Sequence, residues 1–165
     1  MKPFLLWILA TALAAPVQAK PPTPALKGLR PGMSSAQVLE LFPAAECSDR
    51  ICVIELAEGY TLAQQAASRA MIGLYRGGAI AISFELPQGS WEDLCGALRA
   101  HPAHSGWRYK TDDSAGACTL TAPDRRWRFE VSSAADGSLL GVTLLDAKQF
   151  AANQADLDRE RAKDL

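Results

Sequence analysis

Leu29-Arg30-Pro31-Gly32-Met33-Ser34-Ser35-Ala36-Gln37-Val38-Leu39-Glu40-Leu41-Phe42 is the stretch on which the reading of the fold turns. A Pro-Gly turn leads to Ser34, whose hydroxyl can accept from the Gln37 N–H while Gln37 reaches back, the capping box that opens a helix. Val38, Leu41 and Phe42 fall at i, i+3 and i+4 on one apolar face, with Leu39 at its margin. Pro43 ends the helix, since it cannot continue the hydrogen-bond ladder. This spacing predicts a short buried helix that carries no chemistry.

The pattern recurs. Ser34, Gln37, Val38, Leu41 and Phe42 find counterparts in Ser90, Asp93, Leu94, Ala97 and Leu98, so cap, box partner and apolar face all correspond. Trp91, Leu94, Cys95 and Leu98 make the stripe of this second helix, and Pro102 stops it. Strands follow each helix. Ile51–Leu56 is rich in β-branched residues, and Tyr60–Ala63 reads as a further short strand. Ala70–Tyr75 and Ala79–Leu86 flank Arg76-Gly77-Gly78, whose paired glycines suit the positive φ angles of a hairpin turn. Ile80, Ile82, Phe84 and Leu86 alternate with Ala81, Ser83 and Glu85. In the second half, Trp107–Lys110 starts a strand, Cys118–Thr121 and Trp127–Ser132 form a hairpin, and Leu139–Leu145 is a last apolar strand. Helix followed by antiparallel strands, twice, predicts an α+β fold: residues 29–86 and 87–146 form one sheet with helices on one face.

Residues 147–165 are polar, with Phe150, Leu157 and Leu165 as the large apolar side chains, and read as a surface helix or tail. Before the first helix, residues 20–28 form a Pro-rich, extended leader. Residues 1–19 read as a secretory signal peptide: Lys2, an apolar run from Phe4 to Ala15 broken by Thr11, then Val17-Gln18-Ala19. A membrane anchor is the competing reading, but spanning a bilayer takes about 20 apolar residues, and Pro16 interrupts this run. No Cys follows it closely enough for acylation.

The chain has 17 Lys and Arg against 18 Asp and Glu, a formal net charge of −1, which makes no case for nucleic acid. Its four cysteines, Cys47, Cys52, Cys95 and Cys118, form an even set in an exported chain and favour disulfides, with three connectivities open. Pairing within each half, Cys47–Cys52 and Cys95–Cys118, is the reading preferred. Zinc is the alternative, yet no Cys-x-x-Cys and no second histidine pair stand at ligand spacing. No cofactor is expected.

Leu29-Arg30-Pro31-Gly32-Met33-Ser34, with Val38 and the closing Phe42-Pro43, resembles the opening motif of small bacterial envelope proteins of the SmpA/OmlA type. The tandem helix-plus-strands order is similar to the β-lactamase-inhibitor-protein fold. The chain lacks the acylation Cys of the lipoprotein group and the Gly before Pro43. The resemblance implies a fold, and binding of proteins through the sheet.

Catalytic patterns are sparse. His101 and His104 are spaced H-x-x-H beside Pro102 and read as helix-end polar residues. No Gly-x-Ser-x-Gly elbow is present, oxidised cysteines leave no thiolate, and Asp112-Asp113 sit in a turn-rich stretch. Trp107, Arg108, Arg125, Arg126 and Arg128 form a candidate interface, since Trp and Arg are enriched at hot spots. Alternation puts Trp127 with Phe129 and Val131 on a buried face. The expectation is an exported, soluble, non-catalytic protein-binding or inhibitor module of the bacterial envelope, its partner an unidentified envelope protein. A small periplasmic hydrolase is the alternative.

Overall fold

The computed structural model describes residues 23–134 and 136–163. The signal segment and Lys20–Pro22 of the leader lie outside the described residues. The capping box forms as the sequence predicts: the Gln37 N–H donates to Ser34 Oγ at 3.3 Å and the Ser34 N–H donates to Gln37 Oε1 at 3.0 Å. It opens α1 (Ser35–Leu41), which ends at Phe42.

Eight strands then build one antiparallel sheet: β1 (Glu46–Cys47), β2 (Ile51–Glu55), β5 (Arg69–Tyr75), β6 (Gly78–Pro87), β7 (Arg108–Asp112), β8 (Ala117–Thr121), β9 (Trp127–Ser133) and β10 (Leu139–Asp146). Their order is β1-β2-β5-β6-β10-β9-β8-β7. Four strands come from each half, and the halves meet where β6 pairs with β10, Phe84 opposite Val142 and Ile82 opposite Leu144. A separate hairpin, β3 (Thr61–Leu62) with β4 (Gln65–Ala66), stands off the sheet. The fold is α+β.

Alternation explains the core. Ile72, Ile82, Phe84, Leu120, Phe129, Val131 and Val142 project from one face and join Val38 of α1 and Leu94 of α2 (Trp91–Ala100) in a single buried cluster. Each fully buried large side chain contributes about 1.5–3 kcal/mol relative to exposure. Both α1 and α2 cover this face, as the sequence predicts. The third, α3 (Ala147–Arg161), packs against β6 and β10. Its Asp156 accepts from the Tyr75 hydroxyl, and Tyr75 alternates with the buried Leu74 and Ile72. α3 therefore lies on the opposite face.

Several local expectations are corrected. Leu41 is 49 % exposed and Leu39 37 %, leaving Val38 as the buried residue of α1; seven residues make too few turns to bury a broad face. Residues 26–29 are not extended: Leu26 and Leu29 exchange backbone hydrogen bonds at 2.9 and 3.0 Å across a turn with positive φ at Lys27 and Gly28. Both leucines are buried, and that burial holds the turn against the sheet. The turn after β5 takes its positive φ from Arg76 and Gly77 rather than from the two glycines. Ile80 leaves the alternating face, because the register between β5 and β6 shifts by one residue there: Gly73 faces Ala81 and Leu74 faces Ala79. Ile80 is buried but stands outside the core cluster.

Cys47 is bonded to Cys52 across the β1–β2 turn, and Cys95 to Cys118, tying α2 to β8. No helix among the described residues is long and apolar enough to cross a membrane.

Candidate functional site: an apolar groove beside the second helix

α2 ends at His101, and a single 3₁₀ turn, Pro102–His104, folds the chain back towards the sheet. His104 Nδ1 lies 2.6 Å from the Leu98 carbonyl oxygen. A carbonyl only accepts, so Nδ1 carries the proton and Nε2 is the acceptor in the neutral ring. The imidazole packs among His101, Trp107 and Phe129, with ring centroids 5.1, 4.8 and 4.9 Å away. Burial lowers the pKa of His104 below its ordinary value; the Leu98 carbonyl opposes that shift and the neighbouring His101 adds to it. His101 is exposed, and its Nδ1 accepts from the Ala103 N–H at 3.2 Å. The H-x-x-H pair is thus engaged in closing the turn.

Against this turn the sheet, α2, the β3–β4 hairpin and residues 23–27 enclose a groove of about 890 Å³. Its buried lining is Leu26, Leu62, Leu94, Ala122, Trp127 and Phe129. Lys27, His101, Ser105 and Asp124 also line it, and all four are exposed. The buried floor is hydrocarbon and aromatic, the half-buried His104 packs beside it, and the exposed polar groups stand at the rim.

Sequence reasoning pointed elsewhere. Of the candidate interface residues, Trp107 packs on the core and lines this groove. Arg108 and Arg128 project from the opposite face, both in line with Thr121 through the pairs Arg108–Thr121 and Thr121–Arg128. Arg128 there pairs with Glu130 at 2.7 Å. Arg125 is exposed in the β8–β9 turn at φ 58°. Arg126 donates from Nε and Nη2 to Asp146 Oδ2 at 3.1 and 3.0 Å and lies over the Trp127 ring, 4.4 Å from its centroid. The five residues are divided between two faces and a turn. Trp127 is buried as its alternation predicts, and it also floors the groove.

The groove was missed because its walls come from four separate segments. Its one local signal lies in residues 23–29, where Leu26 and Leu29 interrupt a polar, Pro-rich leader. Asp146 was missed as well. It is 3 % exposed, pairs with Arg126, and its Oδ1 accepts from the Gln149 N–H at 3.1 Å to cap α3.

Ser105, His101, His104 and Asp124 all line the groove, the residue types of a hydrolytic triad. Among the described hydrogen bonds no side chain of one is joined to a side chain of another: Asp124 Oδ1 accepts from the Arg126 N–H at 2.9 Å, and each histidine Nδ1 is bonded to backbone. Among the described residues no three His, Cys, Asp or Glu side chains gather as a metal site. No protein-family model, curated protein or solved structure matches this chain.

Proposed function

We propose that this is an exported, non-catalytic binding or inhibitor module of the bacterial cell envelope, which holds an apolar group in the groove beside α2. One observation carries the reading: a cavity of about 890 Å³, of ligand-site size, is floored by buried apolar and aromatic side chains and rimmed by a few polar ones. The two disulfides fit an oxidising compartment such as the periplasm, and the signal-like residues 1–19 supply the route. The likeness of residues 29–43 to the SmpA/OmlA opening supports an envelope role with an unidentified envelope protein as partner.

A hydrolase is the second reading, favoured by Ser105, His101 or His104, and Asp124 lining one groove. It requires the nucleophile-to-base and base-to-carboxylate hydrogen bonds to form on substrate binding.

The test is capture from a periplasmic extract under mild crosslinking, using the full protein and its Ala97→Phe variant, with bound protein and bound lipid both analysed. Ala97 is exposed and lines the groove, so the larger side chain obstructs the groove from the helix surface. Recovery lost in the variant is the expected result. Recovery equal in both contradicts binding in the groove. Ester or peptide hydrolysis abolished by Ser105→Ala would establish the second reading instead.

A further inference from the structure

Resting on the groove as the binding surface, we infer that its occupant is the hydrocarbon chain of a small amphiphile, with the polar head held at the rim. The distribution of polar atoms favours this class over an extended peptide. The buried lining, Leu26, Leu62, Leu94, Ala122, Trp127 and Phe129, offers one side-chain hydrogen-bonding group, the indole N–H of Trp127, and the half-buried Trp107 and His104 add an indole N–H and the imidazole Nε2. A peptide strand entering that floor would bring a backbone N–H and C=O at nearly every residue and leave most of them unpaired. Each such group costs about 1–3 kcal/mol. A methylene chain brings none, and each buried CH₂ stabilises the complex by about 0.8 kcal/mol.

The rim completes the match. Lys27 and Asp124, one charge of each sign, are both exposed, as are the neutral donors His101 and Ser105. Since His101 Nδ1 accepts from Ala103, its Nε2 carries the proton and donates outward. Lys27 has no ion-pair partner among the described salt bridges; its Nζ stands 5.5 Å from the Tyr60 ring centroid. A carboxylate, phosphate or polyol head therefore meets donors, and an amine on the same head meets Asp124. Charge placement favours a molecule that is apolar at one end and polar at the other over one that is polar throughout.

The test uses single-chain amphiphiles brominated at mid-chain, one with a carboxylate head and one with a glycerol head, titrated below their micelle concentration into the full protein. Bromine quenches tryptophan on contact. Trp107 and Trp127 line the groove, whereas Trp91 lines a separate depression. The expected result is saturable quenching that survives in Trp91→Phe, falls in Trp107→Phe, and weakens at least tenfold in affinity in Ala97→Phe. Quenching that disappears in Trp91→Phe, or affinity unchanged in Ala97→Phe, overturns the inference. If brominated chains fail while an apolar peptide binds and Ala97→Phe abolishes that binding, the hydrocarbon occupant is wrong and the binding module stands. A dimer in sedimentation that Ala97→Phe dissociates would make the occupant a second copy and also overturn the inference. If no ligand binds and the chain is monomeric, both readings fail.

Discussion

Gln65 holds Ser90 by both of its backbone groups: the Ser90 N–H donates to Gln65 Oε1 at 2.8 Å, and Gln65 Nε2 donates to the Ser90 carbonyl at 2.9 Å. In the first half of the chain Gln37, inside α1, closes its own box on Ser34. In the second half Asp93 supplies its N–H to Ser90 Oγ at 3.2 Å, and the return bond comes from the β3–β4 hairpin. The start of α2 and one wall of the groove are thereby locked together. Gln65→Ala leaves the Ser90 N–H without its partner and is expected to cost about 1–3 kcal/mol, read from urea unfolding. Gln37→Ala, at an exposed box, is expected to cost about 1 kcal/mol or less. Equal losses at the two sites would contradict the lock.

Gly89 sits where this lock leaves no room. A Cβ there would stand 2.7 Å from Gln65 Oε1 and 2.9 Å from Leu140 Cδ2. Gly89→Ala is expected to destabilise by about 1–3 kcal/mol, the usual cost of overpacking. Gly96→Ala serves as control: nothing lies within 4 Å of its Cβ position, and α2 should gain from the better helix former. Unfolding midpoints moving in the same direction for both would be inconsistent with this packing.

The two disulfides should differ in their contribution. Cys95 and Cys118 are 23 residues apart, Cys47 and Cys52 only 5. On the chain-entropy account the longer loop contributes about 3 kcal/mol and the shorter about 2 kcal/mol. Paired alanine substitution of each bridge, followed by denaturant unfolding, checks the order. The Cys95–Cys118 pair should also matter more for the groove, since it fixes α2 on β8.

His104 makes the turn beside the groove sensitive to pH. Its folded pKa lies below the ordinary 6.5, so the unfolded chain takes up the proton first. The stability it contributes is present above pH 6.5 and falls as the pH drops from there towards the lower folded value. NMR titration should show His104 protonating below the ordinary histidine value. Unfolding measurements should show His104→Gln with a flatter pH dependence below 6.5. An unchanged slope in the variant would assign the effect to other groups.

At the C-terminal helix the sign is the same, though the group is a carboxylate. The Tyr75 hydroxyl bond, then Arg159, hold Asp156 below its ordinary 3.8. Docking of α3 is expected to be fully present above that value and to weaken as pH falls through the depressed one. Amide exchange in residues 150–160 should accelerate there, and Tyr75→Phe should bring the acceleration to higher pH.

Much of the architecture was legible because it rests on local patterns. Ser34 and Ser90 each announce a helix, and alternation along Ile82–Leu86 and Trp127–Val131 gives the core face of the sheet. Positions governed by distant partners were not. The turn at Ala63-Gln64 has positive φ at both residues, where neither is a glycine to signal it. Ile80 keeps the right residue type, but the bulge beside Gly73 removes it from the core. The groove is less legible still, since Leu26, Leu62, Leu94 and Trp127 become neighbours only through the packing of both halves. The arginines beside the tryptophans read as one interface, yet strand alternation divides Arg108 and Arg128 from Trp127.

The most direct test of binding in the groove is site-specific photocrosslinking in living cells, comparing a photoreactive residue at Ala97 with one at Thr119. Ala97 lines the groove, whereas Thr119, paired with Lys110 and Glu130, belongs to the opposite face. Adducts from position 97 and none from position 119 are the expected result. Adducts from position 119 with none from position 97 would contradict it and move the binding surface to the arginine-bearing face.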